Sequence, residues 1–418
     1  VATQSVTEQQ ARRVAEEARQ KDWTRPSFAK ELFLGRLRLD LIHPHPRPSA
    51  DDQRKGDAFL AKLESFLKSA VDPLQIERDA KIPGHVIEGL SELGALGMEI
   101  DEKYGGLGLS HVYYNRALAM ASSAHSALST LLSAHQSIGV PQPLKLFGTE
   151  EQKQKFLPGL AKDKISAFLL TEPDAGSDPA RMVATAVPTD DQSAYILNGL
   201  KLWTTNGVIA DLLVVMASVP RSDGHKGGIS AFVVDANSPG ITVERRNEFM
   251  GLRGIENGFT RFTDVRVPAE NLIAGEGRGL KIALQTLNTG RLSLPAICLA
   301  STKASLSIVR EWSNERIQWG KPIGKHEAVA HKVAFIAGMT FAIEAVVELS
   351  SALADQERND IRLEAALAKL YCSEMAGRVA DRAVHGNGIA RRRDGSDNVL
   401  AVGPRAENSA QERLLQAQ

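Results

Sequence analysis

The spacing of apolar residues along this chain changes twice, and that change constrains the fold more than any other feature. Over residues 51–164 they recur at helical spacing, as in Phe59, Leu60, Leu63, Phe66 and Leu67, and again in Leu118, Ala121, Leu128, Leu131 and Leu132. Pro73, Pro83, the pair Gly105 and Gly106, and Pro141 divide this run into separate helices. From Ile165 the pattern becomes that of strands. Short β-rich runs lie at 165–170, 194–197, 212–216, 229–234 and 259–265, with polar or glycine-containing turns between them. Beyond Gly279 helical spacing returns in longer stretches: Ala304, Ile308, Val309 and Trp312 share one face, and Phe335, Met339, Ala342 and Val346 another. The order reads as an α+β multidomain protein of 418 residues. An N-terminal arm spans 1–50, an N-terminal helical domain 51–164, and a middle β domain (a compact barrel or sandwich) 165–275. A C-terminal helical bundle spans 276–384, and a divergent tail 385–418.

Charge and composition narrow the ligands. Lys plus Arg and Asp plus Glu number 50 each, so there is no nucleic-acid footprint, and an anionic ligand must be met by local cations or backbone donors. The two cysteines, Cys298 and Cys372, lie in apolar helical patterns and read as buried free thiols, with no disulfide framework or zinc site. His43 and His45 have no carboxylate or cysteine at ligand spacing, so no metal is expected. No run of about 18 consecutive apolar residues occurs, and no membrane span is expected. The polar N-terminal stretch lacks the apolar core of a signal peptide, which points to the cytoplasm or an organelle matrix. Gly275, Gly277 and Gly279 lack the dinucleotide-loop spacing and read as a turn into a helix at Leu280.

Two segments of the β domain carry chemistry. The first is Thr171, Glu172, Pro173, Asp174, Ala175, Gly176, Ser177 and Asp178, directly after a strand. A rigid turn of this composition can offer hydroxyls and backbone N–H groups to the polar edge of a flat heterocycle, a carbonyl or a phosphate. The second is Lys201, Leu202, Trp203, Thr204, Thr205, Asn206 and Gly207, where an aromatic followed by hydroxyls suits stacking plus edge hydrogen bonding. Either segment alone fits a structural turn. The pair, in this order between two helical regions, is more specific.

Through these two segments the chain resembles the acyl-CoA dehydrogenase family. Further similarities lie at 105–108, 147–153, 157–158, 265–268, 271–273 and 316–323, so the resemblance covers roughly residues 27–384. The stretches 27–35 and 134–139 look most like the very-long-chain branch, without that branch's extra C-terminal region. The resemblance implies FAD as cofactor. Phe168, Leu170, Thr171 and Thr205 would lie along the isoalloxazine and Trp203 would pack on it. Gly176 belongs to the same turn, and Ser177 would meet the flavin phosphate or the pantetheine. Arg316 and Gln318, with Trp319 beside them, would reach the FAD of a neighbouring subunit in a homodimer or homotetramer. Asn288 and Arg291 would contact the CoA arm. The implied reaction is α,β-dehydrogenation of a medium- to long-chain acyl-CoA, with electron-transfer flavoprotein as acceptor.

That reaction needs a carboxylate base for a weakly acidic α C–H and hydrogen bonds for the developing enolate oxygen. Most family members take the base from a Glu-Gly-Thr segment, which is absent here. A minority place it just before the residue matching Arg291, where this chain has Gly290. The nearest substitute is Glu407, followed by Asn408 and Ser409. A surface Glu on a divergent tail is the plainer reading of Glu407. A rival alignment through Glu412 and Arg413 leaves the base beyond Gln418. Two further functions stay open: a catalytically impaired or heteromeric subunit, and a flavin-dependent hydroxylase on the same fold.

Overall fold

The computed structural model describes residues 7–18, 23–356 and 358–387. The first part of the chain forms α1 (Glu8–Ala18), α2 (Phe28–Phe33), α3 (Ala50–Ala70), α4 (Pro73–Asp79), α5 (Gly84–Glu92), α6 (His111–Ala124), α7 (Ser126–Ser133), α8 (Pro141–Phe147) and α9 (Glu150–Lys162). Local signals set the starts. The Ser49 and Ser110 hydroxyls accept the N–H of Asp52 and Tyr113, and Thr149 with Gln152 forms a capping box. Between α7 and α8 the backbone widens into a π turn, Ala134–Ile138.

The middle part forms β1 (Ser166–Leu169), β2 (Thr185–Pro188), β3 (Ala194–Thr205), β4 (Leu212–Val219), β5 (Gly228–Asp235), β6 (Ile241–Arg246), β7 (Asn257–Pro268) and β8 (Leu272–Ile273). They make one eight-stranded sheet, ordered β6-β7-β3-β2-β4-β5-β8, with β1 parallel to β4. Alternation along β4 separates two cores. Leu213, Val215, Ala217 and Val219 join Ala167, Leu197, Phe232, Phe262 and Val265 inside the sheet. Leu212, Val214 and Met216 pack instead with the helical residues Leu144, Leu160 and Ala283. Strands distant in the ladder share the inner core, so the sheet curls around it as a barrel does. The apolar runs did not reveal β2 and β6. β6 exposes Thr242, Val243, Glu244 and Arg245, and β2 ends in a proline, so neither shows a buried alternation.

The last part forms α10 (Gly279–Glu315), a small hairpin of β9 (Ile317–Gln318) and β10 (Lys321–Pro322), α11 (Glu327–Asp355) and α12 (Arg362–Asn387). At its 37 residues, α10 is roughly 55 Å long. It starts against the sheet and ends in the bundle. Ala296 and Leu299 of α10, Ile343 of α11 and Cys372 of α12 share one core with Leu118 and Leu128, so the two helical regions are joined. Neither Cys298 nor Cys372 forms a disulfide among the described residues, and burial pushes the Cys372 thiol up. The glycine-rich turn leads into α10 at Gly279. Glu276 anchors it by accepting from the Tyr195 hydroxyl (2.8 Å) and the Gly227 N–H (3.0 Å), with His225 Nδ1 at 2.6 Å.

One apolar feature of the described helices does not show as an uninterrupted run. Both α10 and α11 contain a window long and apolar enough, by length and composition, to cross a membrane. Isolated polar residues such as Thr340 and Glu344 break the run without lowering its mean much. In α10, 61% of the window is buried inside the protein, in α11 only 28%. The uncovered face of α11 carries Ala334, Gly338, Phe341 and Ala345.

Candidate functional site

β1 runs into the turn at 171–178, which closes on itself through paired backbone bonds between Glu172 and Ala175 (3.1 and 3.3 Å). The end of β3 lies alongside. There the register against β7 shifts between Lys201 and Thr204. The irregularity places Trp203 at φ 56°, in the left-handed region that bulky side chains disfavour, and Asn206 in the turn after β3 has φ 66°. Trp203 is half-buried between Phe249 and Phe259, with ring centroids 6.2 and 6.0 Å away. Such backbone persists only where surrounding contacts over-determine it.

Those contacts are present. The Leu202 N–H donates to the Thr171 carbonyl (2.9 Å). The Lys201 ammonium donates to the Leu170 carbonyl (3.1 Å) and to Glu172 Oε1 (2.7 Å), and the two side chains are 0% and 1% exposed. Glu172 also accepts the N–H groups of Val183 (2.6 Å) and Ala184 (3.1 Å). Burial pulls the Lys201 ammonium below the usual lysine range, and Glu172 opposes that shift. Asn206 Nδ2 donates to the carbonyls of Leu131 (3.0 Å) and Ser166 (3.3 Å). Thr205 Oγ1 accepts from Asn257 Nδ2 (3.0 Å), and Asn257 Oδ1 accepts from Asn247 (2.7 Å).

The π turn supports the same corner from below. His135 Nδ1 accepts the Ser166 N–H (3.0 Å), and its Nε2 donates to the carbonyls of Leu96 (3.1 Å) and Leu160 (3.0 Å). Burial drives its pKa down to about 4, so the ring is neutral. Sequence reasoning missed His135, Asn257 and the Glu172–Lys201 link. A lysine in a β-run beside an aromatic was the available signal for the last.

α10 packs against the same π turn. Arg291 Nη1 donates to Asn288 Oδ1 (2.5 Å). Among the described residues no carboxylate lies within ion-pair distance of Arg291, and burial lowers its pKa. Gln142 Nε2 bonds Thr289 Oγ1 (2.9 Å). At Gly290 a Cβ would stand 2.6 Å from Ile138 Cγ2, so α10 touches the π turn there. Among the described residues, Thr171 Oγ1 and Thr286 Oγ1 are buried hydroxyls with no hydrogen-bond partner.

The structure thus gathers Phe168, Leu170, Thr171, Trp203 and Thr205 around one corner. Phe168, Leu170 and Thr171 are buried, Gly176 is half-buried and Ser177 is exposed. It does not bring Arg316, Gln318 and Trp319 there. They sit on the exposed hairpin beyond α10, about 35 Å along the helix from Arg291. Glu407 lies outside the described residues. Among the described residues the buried carboxylates Glu99, Glu172 and Glu256 each face a side-chain nitrogen: His111 Nδ1 (2.5 Å), Lys201 Nζ (2.7 Å) and Arg246 Nε (2.6 Å).

A curled sheet between two joined helical regions, with its site where a strand end and a long helix meet, defines the acyl-CoA dehydrogenase fold. The chain belongs to the acyl-CoA dehydrogenase family: it matches that family's N-terminal domain over 54–164, middle domain over 167–265 and C-terminal domain over 277–393. It is 63% identical over 401 residues to the "probable acyl-CoA dehydrogenase FadE10" of Mycobacterium tuberculosis, covering 96% of this chain and 61% of that protein. It is 34% identical to the mitochondrial very long-chain specific acyl-CoA dehydrogenase of Mus musculus, over 86% of this chain and 55% of that one. The chain therefore spans little more than half the length of these curated relatives. Among solved structures, butyryl-CoA dehydrogenase from Megasphaera elsdenii superposes with a TM-score of 0.78 at 31% identity, covering 88% of this chain and 98% of that one. An acyl-CoA dehydrogenase from Bacillus anthracis complexed with FAD gives 0.77 at 27% identity, covering 90% and 66%.

Proposed function

We propose that this chain is an FAD-dependent dehydrogenase that removes the α-proton and β-hydride of a medium- to long-chain acyl-CoA. The carrying observation is the buried joint between segments 171–178 and 201–207. It leaves the Thr171 hydroxyl without a partner at a corner otherwise closed by hydrogen bonds. An unmet buried hydroxyl beside a half-buried tryptophan fits the edge and face of a flavin. FAD, when bound, supplies hydride acceptance; the rest falls to the protein's own side chains.

Phe168, Leu170, Thr171, Gly176, Ser177, Trp203 and Thr205 hold the cofactor in this reading. Asn257 engages Thr205 Oγ1 as an acceptor, which frees the Thr205 hydroxyl hydrogen to donate outward. Asn288 and Arg291 orient the CoA arm, and Arg291 has the half-buried, carboxylate-free setting that favours an anionic or carbonyl partner. Glu407 takes the α-proton. Arg316, Gln318 and Trp319 reach the cofactor of a second copy, and the exposed hairpin and the uncovered α11 face support a homo-oligomer. Electron-transfer flavoprotein is the acceptor.

The test mixes purified flavoprotein anaerobically with saturated acyl-CoAs of graded length and follows the visible flavin absorbance. Bleaching is expected; no bleaching at any chain length removes this function. A second reading, a non-catalytic subunit, is favoured by two observations: among the described residues Glu99, Glu172 and Glu256 each face a side-chain nitrogen, and position 290 has no side chain. Glu407→Gln separates the two. Loss of bleaching supports Glu407 as base, whereas a yellow, inert wild type supports the subunit.

A further inference from the structure

We infer that Lys201 and Glu172 are positioning residues that fix the backbone around Thr171 for the flavin. This rests on the FAD reading above. The bonds bracket Thr171 from both sides. The ammonium holds the carbonyl of Leu170 before it, the Leu202 N–H holds its own carbonyl, and Glu172 after it is tied to Lys201, Val183 and Ala184. The Thr171 hydroxyl is left out of this network.

Stability alone does not account for such a pair. A buried ion pair loses so much hydration that a well-packed apolar replacement is often neutral or stabilising. An apolar pair, however, has no donor for the Leu170 carbonyl and no acceptor for the Val183 and Ala184 N–H groups. What the ions add is a fixed placement of the end of β1, which leads to Thr171, against β3, which carries the strained Trp203. Lys201 precedes Trp203 by two residues, so one side chain ties both flavin-facing segments together.

The experiment uses the full chain as apoprotein. FAD is titrated by fluorescence, and the flavin absorption spectrum and midpoint potential are recorded for each loaded variant. Lys201→Met combined with Glu172→Leu is expected to unfold cooperatively in urea at a lower midpoint than wild type, because the Leu170 carbonyl and the Ala184 N–H lose their partners. It is also expected to bind FAD on the order of 10- to 100-fold more weakly, the loss typical of removing outer supports from a bound centre. Its flavin spectrum and potential should shift. Lys201→Arg, which keeps the charge and donors, should recover part of the affinity. Wild-type affinity, spectrum and potential in the folded double variant would overturn the inference. If the double variant does not fold, Glu172→Asp decides. It withdraws the carboxylate by one methylene, and wild-type FAD affinity there would also overturn it. A wild type that takes up no FAD sinks the FAD reading itself, and this inference with it.

Discussion

The two ends of α10 differ in how much of their surroundings this chain supplies. At the N-terminal end Leu280, Ile282 and Ala283 are buried against sheet residues such as Leu212, Val214 and Ala231, and the neighbouring corner is closed by Lys201, Glu172, Asn206 and His135. At the C-terminal end the hairpin leaves Ile317 52% and Trp319 89% exposed, and Phe341 on the nearby helix α11 is 75% exposed. The lesson is one of division. The inner end is packed and hydrogen-bonded within the chain, so its residues respond to changes in packing and hydration there. The outer end is exposed in the single chain, and if a second copy covers it, as proposed above, its residues respond to assembly.

The contrast is tested hardest at the inner end. Lys201→Met alone leaves Glu172 charged and buried without its partner, which destabilises folding by about 3–5 kcal/mol. Urea unfolding of the apoprotein measures it. A loss below about 1 kcal/mol would mean that the corner is hydrated and not closed.

Acid should open the same corner. The folded protein holds His135 neutral with a pKa near 4, against 6.5 for the free side chain. The unfolded chain therefore binds a proton that the folded protein refuses. This contribution is complete above pH about 6.5 and is lost as pH falls toward about 4, roughly 3 kcal/mol in all. Urea midpoints taken across that window should slope downward, and His135→Asn, which does not titrate, should flatten the slope. An unchanged slope would separate His135 from the acid sensitivity.

Gly290→Ala probes where α10 meets the π turn. The added Cβ stands 2.6 Å from Ile138 Cγ2. Overpacking of this kind destabilises by about 1–3 kcal/mol, and trimming Ile138 to Ala should relieve part of it. Absence of rescue would place the strain elsewhere. The same contact explains why Gly290 is a poor seat for a catalytic carboxylate in this backbone.

How much of this was legible beforehand follows the same division. β4 and β5 announced themselves because both faces of those strands are buried, leaving continuous runs such as 212–216. β6 did not, because its side chains face solvent. The turn at 171–178 was visible as composition, yet the work of Glu172 was not. Its partner Lys201 is 29 positions away, and only the antiparallel run of β3 brings the two together. The hairpin residues Arg316, Gln318 and Trp319 are singled out by resemblance alone. Nothing in their periodicity separates a surface turn from half an interface.

The last prediction concerns that hairpin, and its expected effect on the single subunit is the smallest. Trp319 touches little of its own chain beyond His326, whose ring centroid lies 5.4 Å away. Removing its side chain in Trp319→Ala should change subunit stability by less than about 0.5 kcal/mol, as for other surface positions. If the outer end is an interface, a large aromatic at its tip is the type of residue that dominates binding energy. Sedimentation of Trp319→Ala should then show a shift toward smaller species, with FAD retention falling in step because the neighbour's contacts are lost. An unchanged assembly with unchanged FAD retention would show that both ends of α10 are complete within one chain, and the division drawn above would fail. A shift in assembly without loss of FAD would keep the interface but remove Arg316, Gln318 and Trp319 from the cofactor site.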